Sequence, residues 1–358
     1  MSLGEDLPTW SARHRDNGPV PRSLITIDLA AIRHNVRTLR GLLDGAELWA
    51  VVKAEGYGHG AVDASRAALD GGASALCVAT LPEALHLRAA LRNARIIVMC
   101  PVSDREIGAA KAARLELVGA DGRVPEGVRV HLKLDTGMGR WGLSELPAPG
   151  RDVVGLMSHF ASAESDPAFT HLQVERFKEA TVGLGSLTRH IANSAATLRY
   201  AEARFDAVRC GIALYGISPF DAGPQSEGLE PALRWESYLA LVKQLAPGES
   251  TGYGRRFVAD RPTWIGIVPV GYADGFRRDM TGTEILVEGE RRRVVGAISM
   301  DALAVELDAR LALGTPVTLV GDGILIEDHA RVAETIGYEI ATGLNTRSGR
   351  ARRVAKNG

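Results

Sequence analysis

Several shortages in this chain narrow what it can be. Cysteine is scarce: Cys77, Cys100 and Cys210 are the only three. Their odd number and spacing give neither a disulfide framework nor a metal or redox motif, so free thiols in a reducing cytoplasm are expected and no metal site is. Charge of either sign is not in excess, with 42 Lys and Arg against 43 Asp and Glu and a net charge of -1. That balance offers no electrostatic case for nucleic acid or an anionic membrane as a partner. No run approaches the roughly 18 apolar residues of a membrane span. Residues 1–20 mix Glu5, Asp6, Arg13, Arg15 and Asp16 with two prolines and hold no apolar segment, so no secretory leader is expected there. Short-period repeats and low-complexity tracts are absent as well.

What remains is the composition of a globular enzyme or binding protein, 46% hydrophobic and 24% charged over 358 residues. That length suits one large domain plus a smaller one. The first two thirds has a rhythm of short β-rich runs. They are 48-LWAVVK-53, 75-ALCVAT-80, 95-RIIVMC-100, 115-LELVGA-120, 128-VRVHLKL-134, 152-DVVGLMSHF-160, 189-RHIAN-193 and 206-DAVRCG-211. Between most of them lie amphipathic helical stretches, such as 61-AVDASRAALDGG-72, 82-PEALHLRAALR-92, 104-DREIGAAKAAR-114 and 170-THLQVERFKEATVGL-184. Strands alternating with helices make parallel βα units, and eight in succession predict a closed (β/α)8 barrel of the TIM type, in the α/β class. One connection, 121-DGRVPEG-127, has room for a turn but not a helix.

After residue 228 the texture turns to alternating strands, 238-YLALVKQL-245, 264-WIGIVPV-270, 284-EILVEG-289 and 316-PVTLVGD-322, with helical periodicity only over 328–337. The expected organisation is a barrel domain over 1–228 and a mostly β domain over 229–358, with 218-SPFDAGPQSEG-228 as the linker.

In such a barrel, function sits at the C-terminal ends of the strands. Those ends carry Lys53, Lys133 with Asp135, His159, Asn193 with Ser194, and Arg209, while the strand bodies are apolar. Any one of these alone is an ordinary strand-end or core residue; their shared position is the signal. A lysine leaving an apolar barrel interior is partly desolvated, which lowers its pKa and frees the amine for a Schiff base. Glycines 56, 58 and 60 let the following turn approach a ligand. The stretches 193-NSA-195 and 209-RCGI-212 follow late strands, where phosphate is commonly held on this fold. A lysine for an aldehyde and a cradle for a phosphate point to pyridoxal 5'-phosphate (PLP).

The segment 50-AVVKAEGYGHG-60 resembles the PLP-lysine signature of alanine racemases, fold-type III PLP enzymes. Further matches follow in the family's order from about residue 23 to about 340: 131-HLKLDTGMGRWG-142, 158-SHF-160, 192-ANSAA-196, 209-RCGIALYG-216, 252-GYG-254, 269-PVGYADGF-276, 300-MD-301 and 338-YE-339. The ordered set is far more specific than any member.

The resemblance implies a role for each match. Lys53 becomes the Schiff-base lysine and the base on one face of the substrate, and Tyr253 the second catalytic base on the opposite face. An ordinary phenol is a poor base at neutral pH, so this one needs a cationic or polarising neighbourhood; in sequence alone Tyr253 reads as a packed turn aromatic. In the family the tyrosine serves the neighbouring subunit's PLP, which implies a homodimer with shared active sites. Arg209 matches the arginine facing the pyridine nitrogen, where a permanent cation disfavours protonation and weakens the ring as an electron sink. His159 matches the residue supporting it. Tyr57, Ser194, Gly211, Ile212 and Tyr338 match the phosphate shell, with Asn193 beside them. Arg140 matches the arginine near the substrate carboxylate, which its planar fork suits. Lys133 aligns with a lysine that is carbamylated in many members; beside arginine an unmodified lysine needs a compensating anion. Tyr272, Met300 and Asp301 match the substrate entrance, the first two nearest the substrate.

The chain departs from the family pattern at several points. Glu55 and Gly56 stand where Asn and Ala are usual, Cys210 where proline is common, and 296-GAISMDA-302 lacks a common arginine and cysteine. The tail 343–358 lacks the usual ending. The activity implied is interconversion of L- and D-alanine, supplying D-alanine for peptidoglycan in a bacterial cytoplasm. The alternatives are a racemase of serine or of several amino acids, a fold-type III decarboxylase, and a PLP-binding regulatory protein. Decarboxylases usually place an acid where Arg209 stands, and the regulatory proteins resemble the barrel alone.

Overall fold

The structure, a computed structural model, describes Trp10 and residues 20–220, 222–347 and 349–357. Most of the stretch where no leader is expected therefore lies outside the described residues. The chain divides into two compact units: Leu29–Glu230, and the chain before residue 29 together with Pro231–Asn357.

The first strand, β1 (Leu24–Asp28), does not belong with the barrel that follows it. It pairs antiparallel with β10 (Leu233–Tyr238) and parallel with a strand near the C-terminus. The expectation that the chain from residue 1 to 228 is barrel is corrected here. A strand buried at four of its five positions must pair both edges of its backbone, and a closed barrel has no edge to offer.

The barrel consists of β2 (Glu47–Val51), β3 (Ala75–Val78), β4 (Ile96–Val98), β5 (Glu116–Gly119), β6 (Val130–Lys133), β7 (Val153–Met157), β8 (Thr188–His190) and β9 (Ala207–Cys210). Each pairs parallel with the next, and β9 closes on β2. Each of the eight β-rich runs supplies one strand. No helix separates β5 from β6, as the short connection requires. The helix Leu29–Arg40 buries Leu29, Ile32, Val36 and Leu39, a stripe at helical spacing. Each such side chain contributes about 1.5–3 kcal/mol on burial. The next helix, Ala61–Gly71, crosses closely because Gly71 has no Cβ; one added there would lie 2.8 Å from that of Val36.

The second unit is a nine-stranded sheet in the order β11 (Leu241–Leu245), β14 (Thr263–Val268), β17 (Leu303–Leu307), β16 (Glu290–Val295), β15 (Glu284–Val287), β18 (Pro316–Val320), β10, β1 and β19 (Arg352–Lys356). A two-stranded ribbon of β12 (Ser250–Thr251) and β13 (Phe257–Val258) stands beside it. The apolar run 238–245 is not one strand: it breaks between β10 and β11, where Leu239 and Ala240 bond to Thr315 and Ile267 instead. A small core of Leu245, Ala259, Ile265, Val295 and Ala304 underlies the ribbon. The tail supplies β19, an edge strand beside β1.

Candidate active site

The turn after β2 explains why Lys53 sits in so glycine-rich a sequence. Ala54, Glu55, Gly56 and Tyr57 all have φ between 50 and 60°, a short left-handed turn. Three of the four carry a side chain, and each such residue costs about 1–2 kcal/mol in that region. Glu83 holds the turn in place. One of its oxygens accepts the Ala54 N–H at 2.7 Å, and the other accepts the Ala79 and Thr80 N–H groups at 2.9 Å each. The same carboxylate closes a reciprocal cap with Thr80 at the start of helix Leu81–Ala90. Lys53 is thereby fixed at the barrel mouth, half-buried. Burial lowers its pKa and the Arg140 and Arg209 cations push the same way, against Cys100 and Glu83.

Arg209, near the end of β9, is buried, and both of its terminal nitrogens have acceptors. One terminal nitrogen donates to His190 Nδ1 at 2.6 Å and to the His190 carbonyl at 3.0 Å. The other donates to the Ser158 carbonyl at 2.8 Å, the Ile191 carbonyl at 3.1 Å and His159 Nδ1 at 3.2 Å. An arginine has no acceptor capacity, so both imidazole nitrogens are lone pairs. Burial, then the Arg209 charge, keeps both histidines well below their ordinary pKa and therefore neutral. Burial also draws the guanidinium down to about 10, which leaves it a cation at neutral pH.

Across the barrel mouth lies a set of neutral donors. Asn193 caps helix Ser194–Arg199 by accepting the Ala196 N–H at 2.9 Å. Ser194 Oγ accepts the N–H groups of Gly211 at 3.0 Å and Ala213 at 3.4 Å. Tyr57 is buried against Gly211 and Tyr215, its ring 5.3 Å from that of Tyr215. Ile212 opens a short 3-10 helix, whose first N–H groups have no intrahelical partner. Hydroxyls, first-turn N–H groups and no carboxylate suit a phosphate.

Lys133, at the end of β6, is buried; burial, then Arg209 and Arg140, brings its pKa down to about 8. The following loop is shaped by Asp135, whose carboxylate accepts the N–H groups of Gly137, Met138 and Gly139. It delivers Arg140, exposed, with its guanidinium 5.2 Å from the centre of the Trp141 ring; Lys133 Nζ lies 5.8 Å from the same ring. Both cations lie within reach of the indole face, which attracts each of them.

The remaining expected residues lie in the β unit. Tyr253 occupies a turn between β12 and β13 and is 72% exposed, so it is not the packed turn aromatic its sequence alone suggested. Gly252, at φ 78°, brings this turn against Ala297, where an added Cβ would lie 2.9 Å from the backbone nitrogen. Tyr272 and Met300 come together: the Tyr272 and Ala273 N–H groups donate to the Ser299 and Met300 carbonyls at 3.0 and 3.1 Å. Asp301 pairs with Arg350 and Arg22. Tyr338 is half-buried in helix Gly337–Thr342.

The comparisons with known proteins find relatives over most of the chain. Residues 27–219 match the model of the alanine racemase N-terminal domain, and residues 232–352 that of the C-terminal domain. The chain belongs to the alanine racemase family. Alanine racemase 1 of Bacillus subtilis is 40% identical over 352 residues, covering 90% of each chain. The alanine racemase of Lactiplantibacillus plantarum is 40% identical over 360 residues, covering 90% of this chain and 95% of its own. The alanine racemase structure from Streptomyces coelicolor superposes with a TM-score of 0.86 at 38% identity, over 94% of this chain and 98% of that one. Both parts of the fold, the closed barrel and the mostly β unit, are those of this racemase family.

Two residues that hold the candidate site together escaped the sequence reading. His190 stands at the C-terminal end of β8, the position that singled out the others, but was passed over inside 189-RHIAN-193. Glu83 lies in 80-TLPE-83, a helix-capping pattern whose second use, gripping the Lys53 turn, needs the fold to be seen. No cluster of metal-ligating side chains occurs among the described residues. No helix among them is long and apolar enough to cross a membrane.

Proposed function

We propose that this protein interconverts L- and D-alanine with pyridoxal phosphate as cofactor, and so supplies D-alanine for peptidoglycan. The observation that carries the reading is Lys53, an amine of lowered pKa fixed by a strained turn at the barrel mouth, with the cation Arg209 opposite a phosphate-type donor set. The donors fit the cofactor. Lys53 would hold its aldehyde carbon, while Tyr57, Asn193, Ser194, Gly211, Ile212 and Tyr338 hold its phosphate. Arg209, supported by His159, would face its ring nitrogen. When bound, pyridoxal phosphate supplies an electron-withdrawing ring that acidifies the α-hydrogen of an attached amino acid. Arg209, a cation at neutral pH, would favour an unprotonated ring nitrogen and so suppress competing chemistry.

The chain's own residues then move two different protons, one on each face of the substrate. Lys53 Nζ takes the α-proton from one face or returns it there. On the other face the phenolic oxygen of Tyr253 of the partner subunit delivers a proton when Lys53 takes one, and takes one when Lys53 delivers. Arg140 holds the substrate carboxylate by its planar fork. Lys133, as a carbamate, would supply the anion that Arg140 and Arg209 call for. Tyr272 and Met300 border the substrate entrance. This reading makes the protein a cytoplasmic homodimer, supported by family membership and by the exposure of Tyr253 in the single chain.

Racemisation rates over a panel of single amino acids test the reading. Alanine is expected to be the best substrate. Serine or another amino acid turning over faster would overturn the substrate assignment, and carbon dioxide release would overturn the reaction class.

A further inference from the structure

Below Arg209 the barrel core is not apolar. His190 Nδ1 accepts from Arg209, and His190 Nε2 lies 2.9 Å from His131 Nδ1. His131 Nε2 in turn lies 2.9 Å from a carboxylate oxygen of Glu116. Both imidazoles are fully buried, and Trp49 walls them, its ring centre 5.5 Å from His131 and 4.5 Å from His190. Space for His131 exists because residue 155 is glycine: a Cβ there would lie 2.1 Å from His131 Nδ1. Glu116 opens β5 at the opposite end of the barrel from Arg209. It also accepts from Arg95 Nε at 3.0 Å and Arg129 Nε at 2.8 Å, and Arg95 is shared with Glu47.

The chain of bonds has one consistent direction. Arg209 can only donate, so His190 Nδ1 is a lone pair and its proton is on Nε2. That N–H faces His131 Nδ1, which must accept, so His131 also carries its proton on Nε2. The last N–H needs an acceptor, and an ionised Glu116 is one. Reversing either ring sets two N–H groups, or two lone pairs, against each other in a site without water access, which costs about 1–3 kcal/mol per unmet group.

We propose that Glu116 is a positioning residue for Arg209, acting through His131 and His190 along the barrel axis. Its carboxylate fixes both rings as neutral, Nε2-protonated imidazoles, so the arginine at the mouth meets an acceptor and holds one orientation. The proposal rests on the reading of Arg209 as the cation facing the cofactor ring. Burial raises the pKa of Glu116, but hydrogen bonds from His131 and Arg95 outweigh it and bring the group down to about 2, so it stays ionised at neutral pH. The other ionisable neighbours are Cys77 and Cys210, both pushed up to about 12 by burial and both facing Arg209, and Lys133 and His159 at the mouth.

Nitrogen-15 spectra of the cofactor-loaded protein labelled at histidine read the tautomers directly. His131 and His190 are expected each to show one protonated nitrogen, Nε2, unchanged between pH 6 and 9. A proton on Nδ1 of either ring, or on both nitrogens, overturns the proposal without any variant. In Glu116→Gln the side chain has one oxygen for Arg95, Arg129 and His131 together. Its NH2 then turns to His131 Nε2, both rings switch tautomer, and His190 presents an Nδ1–H to Arg209. The expected result is Nδ1 protonation at both rings, an altered pH dependence of the cofactor's visible absorbance, and kcat reduced roughly tenfold with little change in KM, the scale on which partners that orient a site residue act. A folded variant with wild-type tautomers, absorbance and kcat overturns the proposal. A wild-type protein that racemises no amino acid defeats the functional reading instead, and leaves the tautomer result standing.

Discussion

Gly211 and Tyr57 stand so close that a Cβ on the glycine would lie 2.5 Å from the tyrosine hydroxyl. The phenol reaches the phosphate donors only because residue 211 has no side chain. Gly211→Ala is therefore expected to push Tyr57 aside and weaken PLP binding by about tenfold or more, roughly the 1–3 kcal/mol cost of overpacking a buried site. Titration of the apoprotein with PLP, followed by its absorbance, checks this. Unchanged affinity would mean that Tyr57 does not touch the phosphate.

Glu55 carries a side chain at φ 56°, in a turn where the family usually has asparagine. Asparagine tolerates the left-handed region better than glutamate. Glu55→Asn is expected to stabilise the protein by about 0.5–1 kcal/mol, the scale of one relieved backbone position. Thermal unfolding of the two proteins side by side measures it, and a lower midpoint for the variant would contradict the strain account.

Lys133 should react with carbon dioxide in a pH-dependent way. Only the neutral amine adds to carbon dioxide, forming a carbamate and releasing a proton. Because the lysine pKa is lowered to about 8, the neutral fraction becomes substantial as pH rises through that value. Protein in carbon-13 bicarbonate is expected to show a carbamate signal that grows over this range and is absent in Lys133→Ala. An equal signal in that variant would place the modification elsewhere.

Mixed dimers address the sharing of sites. Lys53→Ala and Tyr253→Phe proteins are each expected to lose 10²-fold or more in rate, the usual contribution of a positioned acid or base. Mixing them with proven subunit exchange should restore about a quarter of wild-type activity, since half of the dimers are mixed and each has one complete site. No recovery would assign both bases to one chain.

Much of the barrel was legible because its strands are short and apolar and most are followed by a helix, a pattern that survives in the sequence. Its mouth was legible for a related reason: Lys53, Lys133 and Arg209 each end an apolar run, so position alone marks them. What the sequence hid depends on partners distant in the chain. β1 has the same texture as a barrel strand, and only its pairing with β10 and β19 assigns it to the β unit. His131 and His190 lie 59 residues apart, and nothing local shows that their rings meet. The left-handed turn at Ala54–Tyr57 was also out of reach, since three glycines at alternate positions announce a bend but not its hand. Glu55 gains an explanation in its backbone, which is held in the left-handed region.

Deuterium exchange at the α-carbon of L-alanine tests the central claim most directly. Purified protein with PLP in deuterated water is expected to convert L-alanine to D-alanine, with deuterium at the α-carbon of the product. Loss of the carboxylate, or recovery of unexchanged L-alanine alone, would contradict it.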